Sequence, residues 1–535
     1  MDIPIKVYFI LSIIVSMYYV IYKSKKSMHM LQQNWYNDGN RYINWVINNL
    51  KKVFLNFDIL FVLFIPLYFV HNTYLSLVFF TCLYLISYVT YKNKISHEQS
   101  KKPLVITPRI KRLYVTMIII YLILIIPMII CFDESLIDKY YFLIGFMIFI
   151  DCFVVLCSNV INKPIEKAVF DHYKRLAKNK LNDMKNLKKI AITGSYGKTS
   201  TKNALNDILN VKYNSLATEK SFNTMNGLMI TINNKLDKFT DIFISEMGAF
   251  RRGEIKEKCN FIKPEFGILT TIGSAHLESF GSRENIQKAK FELIDSLPKN
   301  GIAILNMDDE YQVSYKIKSE CKKVWVSIDN KKADVYASDI KLSNKGTSFK
   351  ITFKEKNESI VVETKLLGRP NVYNILQSCA LAYYLGLNLE EIKRGVRKIQ
   401  PIEHRLELKK FTDNITIIDD AYNSNPVGSK MAVDVLGLME GKKIIVTPGM
   451  IELGDKQYEY NKEFGKQIAT ICDEVILIGE EQTKPIMDGL IEKKYPSKNI
   501  HVLNDVKESF VLMRKLSDKK TYVLIENDLP DIFNE

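Results

Sequence analysis

A short apolar segment that runs into glycines, a lysine and hydroxyl side chains could bind the phosphates of a nucleotide. It reads Ile190-Ala191-Ile192-Thr193-Gly194-Ser195-Tyr196-Gly197-Lys198-Thr199-Ser200. Gly194 and Gly197 would let backbone N–H groups approach phosphate oxygens at the positive N-terminal end of a helix. The Lys198 ammonium would neutralise the β- and γ-phosphates, and the Thr199 hydroxyl would bind Mg²⁺. Ile192 replaces the first glycine of the usual phosphate loop, so the motif predicts nucleotide binding without naming a reaction.

Polar residues at the ends of two further predicted strands could complete a metal site. Glu246 follows the apolar run Ile242–Ser245, and His276 follows the run Phe266–Ile272. The carboxyl ends of parallel strands line a ligand crevice, which would place Glu246 where Mg²⁺ binds. The alternative for Glu246 is a solvated helix cap. A single histidine is usually structural, but one at a strand end is a better metal candidate.

These motifs belong to a longer ordered set that resembles the Mur ligases, and within them the MurF type, the UDP-N-acetylmuramoyl-tripeptide:D-alanyl-D-alanine ligases. The set keeps the family's order and rough spacing between residue 188 and about residue 455. Its stretches are Thr193–Lys202, Ser221–Gly227, Glu246–Ile255, Gly273–Glu292, Gly368–Asn374, Glu403–Glu407, Asp419–Pro426 and Gly449–Gly454. One match could be accidental, but a complete ordered set is not expected by chance.

The resemblance implies an ATP-dependent enzyme that forms an amide bond through an acyl phosphate. A substrate carboxylate would attack the γ-phosphate of ATP, and an amine would then attack the acyl phosphate, giving the amide, ADP and phosphate. Because the first step brings two anions together, the site needs concentrated positive charge. Lys198 and Mg²⁺ would supply it, so the expected cofactors are ATP and Mg²⁺.

The resemblance also assigns roles to individual residues. Catalysis falls to Lys198, His276 and Lys290, and Lys290 matches a lysine that is carbamylated in the family. The residues expected to bind ATP are Gly194, Ser195, Gly197, Lys198, Thr199, Ser200, Asn371, Asn374, Arg405 and Asp420. Those expected to bind metal are Thr199, Glu246, His276 and Lys290, and those expected to contact substrate are Asn223, Asn423 and Asn425. Without the surrounding motifs, Lys290 would be read as a surface lysine, the asparagines as helix caps and Arg405 as half of a surface ion pair.

Alternating strands and helices must position these residues. Apolar runs separated by helix-compatible segments occupy residues 190–305 and predict a parallel sheet with helices on both faces. Residues 333–366 alternate polar and apolar side chains and predict an antiparallel insertion. A second alternating set begins near residue 403. The predicted fold is therefore α/β, with a phosphate-loop central domain at 188–402 and a C-terminal domain at 403–535 that the resemblance makes Rossmann-like.

The first 162 residues differ because they hold nearly all of the long uncharged runs. They predict an α-helical membrane region of about five transmembrane helices, from the stretches Val7–Tyr22, Val53–Val70, Thr73–Tyr91, Leu113–Phe132 and Tyr140–Ile161. Lysines and arginines gather in the loops after the first and third stretches, which predicts that these loops lie inside. Five spans would put the amino terminus outside. A helical linker at 163–187 and the catalytic domains would then be cytoplasmic, so we expect a multi-pass protein of the cell membrane.

Buried charge and net charge add two expectations. Asp58 and Asp151 fall in or near these stretches, and Asp151 lies close to mid-span without an assigned role. The net charge of +15 fits a surface beside anionic lipid. Since the sequence contains no recognised nucleic-acid motif, the expected partners include a lipid bilayer and no nucleic acid.

Two departures from the family leave the substrates open. The apolar stretches stand where the family has a UDP-sugar-binding domain, so the carboxylate-bearing cell-wall precursor could be UDP-linked, lipid-linked or polymeric. Leu524–Asp531 is acidic where the family has a Lys-Gly-Ser-Arg-like segment that helps to bind the acceptor's carboxylate. An amino acid or a D-alanyl-D-alanine dipeptide is therefore expected as acceptor by analogy only.

Two other functions stay open from the sequence. One is a membrane-bound ligase for another amino-acid-containing polymer, such as a capsule polymer. The other is an ATP-driven membrane transporter or regulator with a degenerate ligase domain. The cysteines include no Cys-x-x-Cys pair, so a zinc ribbon is not indicated.

Overall fold

Two units, Met1–His172 and Tyr173–Glu535, make up the chain in the computed structural model. The structure describes residues 5–37, 41–70, 72–97, 103–273, 275, 277–422, 425–451, 453–517 and 519–527. The division falls inside one long helix and not at residue 162. The domain boundaries expected at residues 162, 187 and 402 stay predictions.

Helices build the described part of the first unit. They are α1 (Ile5–Gln33), α2 (Ile43–Asn48), α3 (Leu50–Phe54), α4 (Phe64–Val70), α5 (Thr73–His97), α6 (Pro108–Ile130), α7 (Ile137–Phe149) and α8 (Asp151–Asp183), which continues into the second unit. The 3₁₀ segments Phe57–Leu63 and Glu134–Leu136 precede α4 and α7. Pro108 starts α6 after the N-cap Thr107, whose hydroxyl accepts a hydrogen bond from the Ile110 N–H at 3.3 Å.

The apolar helices support fewer membrane crossings than the sequence indicated. Among the described residues, three helices are long and apolar enough to cross a membrane, namely α1, α6 and the Thr73–Lys94 part of α5. α7 and α8 are bent by 72° at a break and add a fourth crossing if they form one broken span. The second predicted stretch forms the short apolar segment Phe57–Val70, which falls short of the roughly 20 residues that cross a bilayer as a helix. In the part of the chain that the structure describes, length and composition therefore support three crossings, or four with the bent pair, and the five spans with the amino terminus outside stay predictions.

Aromatic side chains fill the core of the first unit. Tyr84 and Tyr141 are fully buried, and Phe80 stacks on Tyr141 with ring centroids 4.0 Å apart. Gly145 of α7 allows a close approach, because a Cβ there would lie 2.6 Å from the Cβ of Phe61. Large apolar side chains on α1, α5 and α6 stay exposed, which is the pattern of helices that face lipid.

A nine-stranded sheet lies in the second unit. Its strands are β1 (Lys188–Thr193), β2 (Ser215–Ala217), β3 (Ile242–Glu246), β4 (Phe266–Leu269), β5 (Ile302–Asn306), β6 (Lys322–Ser327), β7 (Val335–Ser343), β8 (Gly346–Phe353) and β9 (Glu358–Thr364). The order is β2-β3-β1-β4-β5-β6-β7-β8-β9, parallel as far as β7 and antiparallel from β7 to β9. The predicted parallel strands and the antiparallel insertion are confirmed.

Helices connect and cover these strands. They are α9 (Lys198–Leu209), α10 (Met225–Lys235), α11 (Glu254–Ile262), α12 (Leu277–Phe280), α13 (Arg283–Asp295), α14 (Glu310–Val313), α15 (Arg369–Tyr384) and α16 (Leu389–Lys398). β3 is buried at every position, as a parallel strand covered on both faces must be. A capping box between Asn388 and Glu391 starts α16.

A six-stranded sheet follows. Its strands are β10 (Glu407–Lys410), β11 (Ile415–Asp420), β12 (Lys442–Thr447), β13 (Glu474–Ile478), β14 (Ile500–Leu503) and β15 (Thr521–Glu526), and its helices are α17 (Pro426–Gly437), α18 (Gln457–Ile468), α19 (Glu480–Glu492) and α20 (Val506–Leu516). The order is β10-β11-β15-β12-β13-β14, with only β10 antiparallel among the described strands of this sheet. The predicted second α/β set is confirmed.

Candidate functional site

The loop between β1 and α9 has the form of a phosphate-binding loop. β1 lies between β3 and β4, and α9 starts directly after its N-cap Gly197. Gly197 has a φ of +79°, a left-handed conformation that favours glycine. A Cβ on Gly197 would lie 2.5 Å from Asn374 Oδ1, and one on Gly194 would lie 1.9 Å from Thr270 Oγ1. Close packing therefore requires both predicted glycines, and the N–H groups at the start of α9 are suited to an anion.

Lys198 lies over the loop that it follows. Its Nζ donates to the Gly194 carbonyl at 2.8 Å and to the Ser195 carbonyl at 3.0 Å. Burial lowers the pKa of Lys198 to about 8, while the Glu246 carboxylate raises it and the Arg405 guanidinium lowers it. A phosphate could take the place of the two carbonyls as the partner of this ammonium.

The loop hydroxyls have different positions. Ser195 Oγ accepts a hydrogen bond from the Gly273 N–H at 2.9 Å, which ties the loop to the chain after β4. Thr199 is buried in the first turn of α9, and Ser200 lines a cavity beside the loop. Ser195 thus acts in holding the loop, whereas Ser200 is open to a ligand.

Glu246 ends β3 as a buried carboxylate. Its Oε1 accepts a hydrogen bond from Asn223 Nδ2 at 3.2 Å, and its Oε2 lies 3.3 Å from the Lys202 ammonium. Among the described residues, Oε2 forms an ion pair but no hydrogen bond. Since Glu246 is only 1% exposed, the solvated helix-cap alternative is wrong. A buried carboxylate oxygen without a hydrogen-bond donor fits a hard cation such as Mg²⁺.

Lys202 is a functional candidate that sequence reasoning missed. It is fully buried on α9, one helical turn after Lys198. Burial lowers the pKa of Lys202, and Glu246 raises it. The i, i+4 spacing from Lys198 was the available signal, because it puts both lysines on one face of the helix.

Lys290 is buried on α13 and is not the surface lysine of the alternative reading. Its exposed fraction is 2%. Burial lowers the pKa of Lys290 well below the ordinary value, and the ammonium groups of Lys198 and Lys258 lower it further against the carboxylates of Glu254 and Glu292. A neutral amine is the form that reacts with CO₂ to give a carbamate, so this position fits the modification that the resemblance implies.

A cavity of about 610 Å³ lies beside the loop and is lined by residues from both sheets of the second unit. Its volume suits a nucleotide. The predicted ATP-binding and substrate residues that line it are Gly197, Ser200, Asn371, Asn374, Arg405, Asp420 and Asn425. The structure therefore brings residues from distant predicted motifs to one place.

Hydrogen bonds fix the amides on the first side of the cavity. Thr201 Oγ1 donates to Asn374 Oδ1 at 3.1 Å, and Asn374 Nδ2 donates to Asn371 Oδ1 at 3.0 Å. Asn371 Nδ2 donates to the Leu367 carbonyl at 2.8 Å. Because this chain of hydrogen bonds ends on the loop helix, it links the position of α15 to that of the phosphate loop.

The opposite side of the cavity comes from the start of the second sheet. Asp420 ends β11, and its Oδ1 accepts a hydrogen bond from the Leu406 N–H at 3.1 Å. Asn425 caps α17 by accepting a hydrogen bond from the Gly428 N–H at 2.8 Å, and it also lines the cavity. Arg405 lines the cavity, and its guanidinium lowers the pKa of both Lys198 and Lys202.

Further cavity residues were not predicted. Asp309 follows β5 and accepts hydrogen bonds from the Ile272 N–H at 2.7 Å and from Gln312 Nε2 at 3.1 Å. Arg283 Nη2 donates to Tyr460 Oη at 3.1 Å, which joins α13 to α18. The carboxylates after β5 could have been found by the strand-end argument that found Glu246. No local sequence pattern could have predicted the contact between Arg283 and Tyr460, because the two residues lie 177 positions apart in the chain.

Two predicted site residues, His276 and Asn423, lie outside the described residues. Within the part of the chain that the structure describes, no group of three or more His, Cys, Asp or Glu side chains is arranged to hold a metal ion. The predicted metal ligands are not such a group, because they combine the Glu246 carboxylate with the Thr199 hydroxyl and with Lys290, whose carbamate would supply oxygen ligands. Of that set, the described residues Thr199, Glu246 and Lys290 are all buried.

Comparison with known proteins places these residues in a family context. Residues 192–382 match the Mur ligase middle domain, and residues 404–526 match the Mur ligase glutamate ligase domain. An Escherichia coli K12 protein named UDP-N-acetylmuramoyl-tripeptide–D-alanyl-D-alanine ligase is 33% identical over 294 residues, which are 55% of this chain and 64% of the relative. A protein of the same name from Buchnera aphidicola subsp. Acyrthosiphon pisum is 31% identical over 339 residues, which are 63% of this chain and 72% of the relative.

A solved structure of a MurF protein is also similar to this chain. The crystal structure of MurF from Acinetobacter baumannii has a TM-score of 0.60 and 26% identity, and the match covers 66% of this chain and 77% of that one. The chain spans 60 to 65% of the length of three curated relatives. The two family models both match within the second unit.

Proposed function

Because the chain belongs to the Mur ligase family, we propose that it is an ATP-dependent ligase of the MurF type, which joins a carboxylate to an amine and releases ADP and phosphate. The proposed donor is a carboxylate-bearing peptidoglycan precursor. The proposed acceptor is D-alanyl-D-alanine or an amino acid, in line with the names of the relatives. The proposed cofactors are ATP and Mg²⁺.

One observation carries the proposal, namely that three groups of different chemistry converge at the phosphate loop. Lys198 lies over the loop. The Glu246 carboxylate and the Lys290 side chain both interact electrostatically with Lys198. A nucleotide switch would need a phosphate loop and a metal carboxylate. It would have no use for a buried lysine of low pKa, whereas a ligase that gathers metal ions around an acyl phosphate does.

The first step would join the donor carboxylate to the γ-phosphate. Lys198 would exchange its bonds to the Gly194 and Ser195 carbonyls for bonds to phosphate oxygens, and its charge would reduce the repulsion between the two anions. Thr199 and Glu246 would hold one Mg²⁺ and His276 would help to hold a second, with carbamylated Lys290 as a further metal ligand. The bound ions would supply positive charge for the phosphate oxygens. Lys202 and Asn223 would keep Glu246 in position.

The second step would bring an amine to the acyl phosphate. Water must be excluded, because it would hydrolyse this intermediate. The hydrogen bond between Arg283 and Tyr460 holds α13 and α18 together beside the cavity. Asn425 and the undescribed Asn423 belong to the loop that would meet the acceptor, and Asn371, Asn374, Arg405 and Asp420 would hold the nucleotide.

We also propose that the first unit is embedded in the cell membrane and that the second unit is cytoplasmic. The three apolar helices and the bent pair support this placement, as does the basic start of α6 at Arg109, Lys111 and Arg112. The proposed organisation is a membrane domain at 1–162, a helical linker at 163–187, a central domain at 188–402 and a C-terminal domain at 403–535. A membrane position would bring a lipid-linked donor within reach.

The test is ligation by the full-length protein in detergent micelles. The protein is mixed with ATP, Mg²⁺, UDP-N-acetylmuramoyl-tripeptide and D-alanyl-D-alanine, and mass spectrometry of the product is compared with ADP release. We expect one amide product for each ADP. Lys198→Met should abolish both signals, whereas Lys188→Met, at the start of β1, should abolish neither. ADP release without a ligated product, over a panel of UDP-linked and lipid-linked donors, would favour the transporter or regulator reading and defeat the proposal.

A ligase for another amino-acid-containing polymer, such as a capsule polymer, is the second candidate because of Glu526. This residue ends β15 in the region where the family has a basic segment for the acceptor carboxylate. Its own carboxylate is buried and accepts hydrogen bonds from Ser429 and Thr447. Because burial raises the pKa of Glu526, this group supplies no positive charge with which to bind an acceptor carboxylate. If the second candidate is correct, D-alanyl-D-alanine will give no product while another amine acceptor in the panel will.

A further inference from the structure

A buried ion pair lies where the helices of the first unit are interrupted. Lys23 of α1 is 5% exposed, and its Nζ donates to the Asp58 carboxylate and to the Ile148 carbonyl at 3.0 Å. Asp58 lies in the first turn of the 3₁₀ segment Phe57–Leu63, and Ile148 lies in the last turn of α7. Lys23 therefore joins three separate helical segments at one point.

Asp151 brings a second carboxylate to this point. It is fully buried and opens α8 directly after the 72° bend from α7. Its Oδ2 accepts a hydrogen bond from Ser27 Oγ at 3.4 Å, and Ser27 lies one turn after Lys23 on α1. Asp151 is within electrostatic range of both Lys23 and Asp58. We call Lys23, Ser27, Asp58 and Asp151 the polar centre.

The polar centre has a surplus of negative charge. When all its groups are ionised, one ammonium faces two carboxylates. Among the described residues, Oδ1 of Asp58 and Oδ1 of Asp151 have no hydrogen-bond partner, and neither do the hydroxyls of Tyr19 and Tyr84, which lie within electrostatic range of Asp58. An uncompensated buried charge is strongly destabilising. These oxygens therefore favour a bound cation.

We propose that the polar centre binds one small monovalent cation, H⁺ or Na⁺, with Asp151 as its main ligand. The inference rests on the proposed membrane embedding of this unit and is independent of the ligase chemistry. Lys23 already neutralises Asp58, so the remaining charge belongs to Asp151. Broken helices within membranes are known to present oxygen ligands to Na⁺ and H⁺. An anion such as a lipid phosphate would be repelled by the surplus negative charge.

Several titratable groups of the described residues interact electrostatically with Asp151. Lys23 and Asp58 are the charged ones. The other titratable groups are Tyr19, Tyr42, Tyr114, Tyr121 and Cys152. Lys23 is the only one of these groups that carries positive charge, so a second cation is what would balance the polar centre.

Labelling with dicyclohexylcarbodiimide tests the proposal on the full-length protein in detergent, without ATP or donor. This reagent reacts with a protonated carboxyl group: the proton moves to a carbodiimide nitrogen and the carboxyl oxygen bonds to the central carbon, with no oxidation or reduction. We expect peptide mass spectrometry to find the adduct on Asp151 and not on Asp58. If the cation is H⁺, labelling falls by about tenfold per pH unit once the proton is lost. If it is Na⁺, labelling at constant pH falls when Na⁺ replaces choline.

Variants separate charge balance from folding. Lys23→Met leaves two carboxylates without an ammonium, so Asp58 should become labelled as well. Asp138→Asn, which removes a buried carboxylate that bonds to Ser76 elsewhere in the unit, should leave the labelling of Asp151 unchanged. The proposal is overturned if Asp151 stays unlabelled at every pH, or if its labelling responds to neither pH nor Na⁺. Asp151→Asn should still release ADP in the ligase assay, so a failure of the ligase proposal would be seen separately.

Discussion

Replacing Glu526 by glutamine should remove a pH dependence from the local stability of the second sheet. Glu526 is fully buried at the end of β15, where Ser429 donates to one carboxylate oxygen and Thr447 donates to the other at 3.0 Å. Burial raises the pKa of Glu526 to about 8; the two hydrogen bonds lower it, and the Asp420 carboxylate raises it. The folded protein therefore favours the neutral carboxyl group.

The sign and the magnitude follow from the unfolded state, in which the glutamate titrates near pH 4.5. Between that pH and about 8, the folded protein keeps a proton that the unfolded chain has released. Raising the pH through this window destabilises the fold by about 1.4 kcal/mol per unit, or about 5 kcal/mol in total. The stabilisation is complete below pH 4.5 and lost above about pH 8. Glu526→Gln cannot release a proton, so its stability should not change through the same group.

Hydrogen exchange read by mass spectrometry on the full-length protein measures this effect, because it reports local opening free energies without requiring two-state unfolding. After correction for intrinsic exchange, the amides of β11, β12 and β15 should open more easily as the pH rises in the wild type, and Glu526→Gln should lose most of this slope. Glu440→Gln, an exposed glutamate of the same region, removes one charge and should behave as the wild type. Equal slopes in the wild type and Glu526→Gln would refute the reasoning.

Three further substitutions test the site. Gly197→Ala should raise the KM for ATP by at least about tenfold, because position 197 has a left-handed φ and a Cβ there would lie 2.5 Å from Asn374. Gly253 also has a positive φ, but a Cβ there would have nothing within 4 Å. Gly253→Ala should therefore leave the KM unchanged. Glu246→Gln should lower kcat by roughly 10²-fold or more and weaken the response to Mg²⁺; an unaltered Mg²⁺ titration would count against its role. Lys290→Gln should remove a carbamate ¹³C signal that appears after exposure to ¹³CO₂, and exposed Lys288→Gln on the same helix should retain it.

Much of the second unit could be predicted because its signals are local. Buried parallel strands are continuous apolar runs, so β1, β3, β4, β5 and the parallel strands of the second sheet were visible in the sequence. Two short edge strands were missed, namely β2 and β10, which have only three and four residues. β6 was missed because it opens with exposed lysines that shorten its apolar run.

The site was partly predictable for a different reason. Glu246 and the loop glycines follow from their positions after strands, but the burial of Lys202, Lys258 and Lys290 depends on packing between distant segments. The same limit applies to the first unit. Hydropathy located apolar stretches, yet it could not show the 72° bend between α7 and α8.

The central claim, that a carboxylate is activated as an acyl phosphate in the cavity beside Lys198, is tested most directly by an oxygen label. The donor is prepared with ¹⁸O in its reacting carboxylate, and the phosphate released with each amide is examined by mass spectrometry. The account predicts that each released phosphate carries a single ¹⁸O atom, because the carboxylate oxygen that attacks the γ-phosphate leaves with it. Phosphate that forms together with the amide but contains no ¹⁸O would contradict it.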